Sequence, residues 1–150
     1  MQIVSDLNDH TGYLLRVVSN AVSQEFARRV ADEGVTVAEW TMLRSLYGKD
    51  ATAPSELART MGLTRGAISK LAERLLEKGL LQRTGNPDDK RGHSLSLSLA
   101  AMQKVPALAA MADGNDAALF GVLAQADQQR LRALLQELIH RHRLTATAVD

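Results

Sequence analysis

Residues 54–73 read PSELARTMGLTRGAISKLAE, and their spacing decides the fold. Two helices joined by a three-residue turn pack at a steep angle only if three positions are right. The first helix needs a small residue where it faces the second, the turn needs a glycine able to take positive φ, and a branched apolar residue must seal the inner face of the second helix. Ala58, Gly62 and Ile68 supply these, four and then six residues apart, and Leu57, Leu63 and Leu71 complete the apolar side. Pro54 suits the first turn of the leading helix, Gly62 its stop, and Thr64 the cap of the helix that follows. An ordinary helical hairpin is the competing reading of this stretch taken alone.

The exposed chemistry separates the two. A helix-turn-helix lays its second helix in the DNA major groove with the N-terminal residues at the base edges. Outward positions there are Thr64, Arg65, Gly66, Ser69 and Lys70, with Glu73 and Arg74 one turn further on. Arg65 can donate two hydrogen bonds to guanine, Thr64 and Ser69 can serve bases or phosphates, and Gly66 keeps the helix surface low for close approach. A solvated helix face explains any one of these residues, but it does not explain why the bases gather at this end.

Outward from the motif, the pattern is helical on both sides of one short interruption. Leu14, Leu15, Val18, Val22, Phe26 and Val30 form a stripe at helical spacing that Gly34 stops. Thr36-Val37-Ala38-Glu39 has the Thr-x-x-Glu form of a capping box, followed by a helix with Trp40, Leu43, Leu46 and Tyr47 and a stop at Gly48. After Lys78-Gly79 the chain alternates, LLQRTG before and SLSLSL after the tip NPDDKRGH of residues 86–93, which predicts a β-hairpin. An isolated two-stranded ribbon is marginal, so this one is expected to pack on the helices through Leu81, Leu95, Leu97 and Leu99. Its tip then projects as a wing beside the second helix, where Lys90, Arg91 and His93 are placed to reach the minor groove or its phosphates. Asn86-Pro87-Asp88 makes the turn, and Asp89 is expected to be structural, holding the loop through Arg91 or the turn backbone. The helical pattern returns after Ser98. Leu131, Leu134, Leu135, Leu138 and Ile139 form its clearest stripe, while Gly114 and Asn115 leave open whether one helix or two precede it.

Composition narrows the function further. The chain has 150 residues, 45% of them hydrophobic, which fits one domain with a real core. Its net charge is only +1, but from Ala53 to His93 eight bases (Arg59, Arg65, Lys70, Arg74, Lys78, Arg83, Lys90, Arg91) stand against five acids (Glu56, Glu73, Glu77, Asp88, Asp89). The positive charge is therefore concentrated around the motif. With no cysteine, disulfides, thiol-ligated metals and thiol redox switches are excluded. The N-terminus lacks a basic leader and no apolar run approaches a membrane span, so a cytoplasmic location is expected, without membrane association. His10, His93, His140 and His142 have no carboxylate partner at ligand spacing, and neither a glycine-rich phosphate loop nor a nucleophile elbow is present. No enzymatic activity, metal or cofactor is expected. RNA binding is disfavoured because aromatic residues make up 3% of the chain and none lies on the basic face to stack bases.

These residues together resemble the MarR family of winged-helix transcriptional regulators. The resemblance is carried by Glu39-Trp40-x-x-Leu43-x-x-Leu46, Ser55-Glu56-Leu57-Ala58, Leu75-x-x-Lys78-Gly79-Leu80-Leu81-x-Arg83 and the wing Pro87-x-Asp89-Lys90-Arg91. Ser98 replaces the family's usual threonine, and Ala101 stands where glycine is common. The resemblance implies a mainly α fold with a small β-hairpin wing: a winged helix-turn-helix lobe over residues 36–99, flanked by dimerisation helices over 7–33 and 99–146. It also implies a continuous helix from about Leu99 into the 120s and a homodimer on a pseudo-palindromic double-stranded DNA operator, with half-sites about one turn, ~10 bp, apart. Family members commonly bind small aromatic or amphipathic acids between the dimerisation helices and the lobe, which makes Tyr13, Arg16 and Trp40 the candidate effector contacts. Repression is the family's usual direction. The alternative reading is a winged helix kept as a protein-interaction module without specific DNA binding, which can lose the set Arg65, Ser69, Lys70, Lys90 and Arg91 retained here.

Overall fold

Capping residues and glycines divide the chain into six helices and a hairpin across the residues that the computed structural model describes, 1–85 and 93–145. A 3₁₀ turn at Leu7–Asp9 leads into α1 (Thr11–Ala31). Then follow α2 (Val37–Leu46), α3 (Pro54–Met61), α4 (Arg65–Glu77), β1 (Leu81–Gly85), β2 (His93–Leu97), α5 (Leu99–Phe120) and α6 (Gln125–Arg141). The expected mainly α fold with a small hairpin is the one observed.

The helix-turn-helix forms for the reasons its spacing gives. Gly62 ends α3 at φ 66°, ψ 32°, and the Leu63 N–H returns to the Ala58 carbonyl at 3.0 Å. Thr64 then caps α4, its Oγ1 accepting from the Ala67 N–H at 3.1 Å. Ile68 is fully buried, and Leu57, Leu71 and Leu75 join Met42, Leu43 and Leu46 of α2 in one core. The left-handed conformation at Gly62 costs an L-residue about 1–2 kcal/mol. Gly62→Ala is therefore expected to lower the unfolding free energy by that amount in denaturant titration, and no loss would show that the turn relaxes around the methyl group.

The hairpin is antiparallel with Leu81 opposite Leu97 and Arg83 opposite Leu95. This register puts Leu81, Leu95 and Leu97 on the buried face, at 2–6% exposure. Leu99 does not join them: it starts α5 and is 67% exposed, because the pleat gives way to a helix at Ser98. An additional anchor lies at the ribbon's base, where Thr52 exchanges both backbone hydrogen bonds with Leu95 at 2.8 Å. Tyr47, placed with the buried stripe of α2 by its spacing, instead terminates that helix with extended backbone and is exposed.

Ser98 caps α5 through Ala101 and donates its hydroxyl hydrogen to the Gly79 carbonyl at 2.7 Å, tying the helix to the end of α4. α5 runs unbroken through Pro106 and Gly114, as the family resemblance implies. At Gly114 an added methyl group would lie in ordinary contact with the Arg29 guanidinium of α1, 3.6 Å away. Asn115, nearly fully buried, donates to the Val22 carbonyl of α1 at 3.1 Å. The weak stretch of the sequence is thus a helix-helix contact, and the break comes later, over residues 121–124, where the chain bends by 110° into α6. No single helix among the described residues is long and apolar enough to cross a membrane.

The first half of α1 and the whole of α6 are left without cover. No residue of α6 is buried, and Leu134, Leu138 and Ile139 are 46–54% exposed. Leu14, Leu15, Val17 and Val18 on the first half of α1 are likewise exposed. A cleft of about 500 Å³ opens in the angle between α5 and α6, lined by Phe120, Leu131, Arg132 and Leu135 among others.

Candidate nucleic-acid interface

α4 is amphipathic about a sharp boundary. Ile68, Leu71, Ala72 and Leu75 face the core, while Thr64, Arg65, Gly66, Ser69, Lys70 and Glu73 are exposed. Every outward residue expected to meet DNA in the first two turns is therefore on the solvent side of one helix. Thr64 Oγ1 is committed as acceptor to the cap, which leaves its hydrogen free to donate. No acid lies in the first turn of α4. The exposed N–H groups and the positive end of the helix dipole favour a phosphate there.

Arg74 sits differently from the rest of the set. Its guanidinium turns toward the start of α2, 3.4 Å from Thr36 Oγ1 and 3.5 Å from Glu39 Oε1, and it is about half exposed. It is a tie between α4 and α2 with donors still open to solvent. In the wing, His93 pairs with Gly85 at the end of the ribbon and is exposed. Arg83 of β1 lies 3.6 Å from Glu73 of α4, joining the ribbon to the helix beside it. The expected wing contacts Lys90 and Arg91, and the structural Asp89, lie outside the described residues.

The three residues expected to hold an effector do not form one place within the chain. Trp40 is half buried and meets Phe26 of α1 edge-on, with ring centroids 6.3 Å apart, so it packs first. Tyr13 and Arg16 are exposed on the opposite half of α1; the 13 residues from Tyr13 to Phe26 span about 20 Å of helix.

The site also holds a charge whose place the sequence reading missed. Glu39 has no exposed surface, although its spacing from Thr36 shows only a local capping box. Its Oε1 accepts from the Thr36 N–H and from Lys78 Nζ, each at 2.8 Å, and Lys78 also donates to the Gly34 carbonyl at 2.8 Å. Burial alone would push this carboxyl up. The Lys78 hydrogen bond, the Thr36 N–H and the charges of Lys78 and Arg74 outweigh it and hold the group below the ordinary 4.5. Because the folded value is the lower one, this stabilisation is fully present above pH 4.5 and is lost as pH falls through the folded value. A signal was available: Lys78 and Arg74 are four residues apart, on one helix face, so one acid can meet both.

Comparison with known proteins bears on what this surface is for. A sequence model described as the MarR family matches residues 33–92, from before the capping box through most of the wing. A protein of Thauera aromatica named as a transcriptional regulator for the hcr operon is 30% identical over 128 residues, covering 85% of this chain and 77% of that one. A crystal structure of a Pseudomonas aeruginosa protein described as a transcriptional regulator superposes with a TM-score of 0.79 at 30% identity, covering 89% of this chain and all of the other. The fold is shared as well with the Staphylococcus aureus MepR-DNA complex, at a TM-score of 0.78 and 20% identity over 88% of this chain and 98% of that one. With the helix-turn-helix, the hairpin and the flanking helices in place, and with a relative this similar over most of both lengths, the chain belongs to the MarR family.

Proposed function

We propose that the protein is a sequence-specific DNA-binding transcriptional regulator, acting in the cytoplasm as a homodimeric repressor on a pseudo-palindromic operator. The observation that carries this reading is the N-terminal face of α4. Thr64, Arg65, Gly66, Ser69 and Lys70 are all exposed there, on a helix whose other face is locked into the core. Arg65 is the base reader, with guanine as its partner, and Thr64, Ser69 and Lys70 bind backbone or base edges. Arg74 and His93 contact flanking phosphates, and Lys90 and Arg91 of the wing take the adjacent minor groove, with Asp89 holding the loop's shape. Dimerisation through α1, α5 and α6 covers the apolar surfaces that a single chain leaves in water.

A small aromatic or amphipathic acid lowers the affinity for DNA by favouring a dimer whose half-site spacing misfits the operator; without differential binding to the two forms it would shift nothing. Because Trp40 lies apart from Tyr13 and Arg16, such a ligand meets these residues as two separate sets within one chain.

Selection of bound fragments from randomly sheared genomic DNA tests the reading, followed by salt titration of the winning site with wild type and Arg65→Ala. A palindromic motif is expected, with Arg65→Ala weakening it by about 1–3 kcal/mol and relaxing the preference at one base position per half-site. Weak binding to all fragments alike, indifferent to Arg65, would overturn it in favour of a protein-interaction module.

A further inference from the structure

Two ionic contacts tie α2 to α4 among the described residues, and both converge on the same buried oxygen, Glu39 Oε1. We propose that Glu39 is a positioning residue for DNA reading: through Lys78 and Arg74 it fixes the tilt and rotation of α4 against the lobe, so that Arg65, Ser69 and Lys70 meet the groove in register. The inference rests on the DNA-binding reading above and deepens it.

Leverage is the first reason. α4 is 13 residues long, about 20 Å, and Glu39 grips its C-terminal end while the base-reading residues sit at the other. A tilt of about 5° at the grip moves the far end by roughly 1.7 Å, enough to break a bidentate contact whose distance window is about 0.5 Å wide. Charge is the second. Lys70, Arg74 and Lys78 follow one another at four-residue spacing, a row of like charges that repel along the helix. Glu39 offsets one unit of the two charges nearest the core, while Lys70 makes no ion pair among the described residues. The third is that this arrangement is a poor device for stability. The carboxylate is wholly buried and its Oε2 has no hydrogen-bond partner among the described residues, a cost that well-packed apolar residues would avoid. What an ionic tie supplies and an apolar contact does not is a fixed direction.

The effect on DNA binding has a sign that simple electrostatics does not share. Removing an acid beside a DNA-facing helix adds one positive charge and strengthens attraction to any duplex. Loss of positioning weakens the operator alone. The experiment compares wild type, Glu39→Gln, Lys78→Met and the double variant as full chains, in two measurements. Amide hydrogen exchange without DNA is expected to speed up about tenfold or more across residues 65–78 in each single variant, with α1, α5 and α6 unchanged. Affinity at matched salt is expected to fall roughly tenfold or more for the selected operator in each single variant, while an unrelated duplex binds Glu39→Gln equally or more tightly and Lys78→Met only slightly less tightly, as the loss of one positive charge requires. The double variant is expected to be little worse than either single one.

Unchanged exchange in α4, an unchanged operator-to-unrelated ratio, or tightening on both duplexes together would overturn the proposal. Should Glu39→Gln not fold, Lys78→Met decides alone, since it leaves the carboxylate held by Thr36 and Arg74. If wild type prefers no sequence, the DNA-binding reading is what has failed and the proposal falls with it, while the exchange measurement still decides whether Glu39 holds α4 against α2.

Discussion

Ile68→Ala is expected to destabilise the protein by about 2–5 kcal/mol, the range for truncating a fully buried aliphatic side chain. Ile68 has no exposed surface and stands where α4 meets the lobe core of Met42, Leu43, Leu57 and Leu75. Removing its branched end leaves a void that this core can close only by moving α4. The neighbouring Ser69 is the control. One position along the helix it is exposed, and Ser69→Ala is expected to change stability by less than about 0.5 kcal/mol, as for a surface substitution away from caps and networks. The two variants should split cleanly: denaturant titration reports Ile68→Ala, and operator affinity reports Ser69→Ala. A cost under about 1 kcal/mol for Ile68→Ala would mean that α4 is not seated as described.

That one-residue contrast also shows why the lobe was legible in the sequence. Ala58, Gly62 and Ile68 each satisfy a requirement that only a few residue types can meet, and all three requirements are local to twenty residues. Thr36, Thr64 and Ser98 are caps for the same reason, and each does accept the hydrogen bond expected of it. Periodicity reads such features because they repeat within one helix or strand.

What the sequence did not reveal depends on partners distant along the chain. Glu39 reads as a capping-box glutamate, which it is, but its burial follows from Lys78, 39 residues away. Arg74 reads as one more exposed base until its neighbour Glu39 is known to be buried beside it. The stretch around Gly114 and Asn115 breaks the apolar stripe, yet it packs on α1, where Asn115 donates to the Val22 carbonyl. Leu99 continues the alternation of the strand by residue type, but Ser98 has already begun a helix. Tyr13 and Arg16 lie on the first half of α1 while Trp40 packs on Phe26 of its second half, a separation that helix length sets and residue type alone does not show.

The largest effect on function is expected from the double substitution Leu134→Glu and Leu138→Glu, far from any DNA-facing residue. Both leucines lie on α6, about half exposed, in a helix that buries nothing within its own chain. In a two-fold dimer each substitution occurs twice, so four leucines are lost from the interface. Full burial of an exposed leucine is worth about 1.5–3 kcal/mol, and these are already half buried in the single chain, so the loss is at least about 3 kcal/mol before any charge is considered. Four carboxylates in an apolar contact raise it further. The dimer dissociation constant should therefore rise by more than about 10²-fold, and the chain should sediment as a monomer at concentrations where wild type is a dimer. A monomer grips one half-site and loses the effective concentration that the second lobe contributes, so operator affinity should fall by about 10²–10⁴-fold. Fluorescence of Trp40, the sole tryptophan, reports the lobe separately and should stay native-like, because no α6 residue enters the core. A variant that remains dimeric would place the interface elsewhere than α6, and a monomer that holds the operator as tightly as wild type would show that each lobe binds alone.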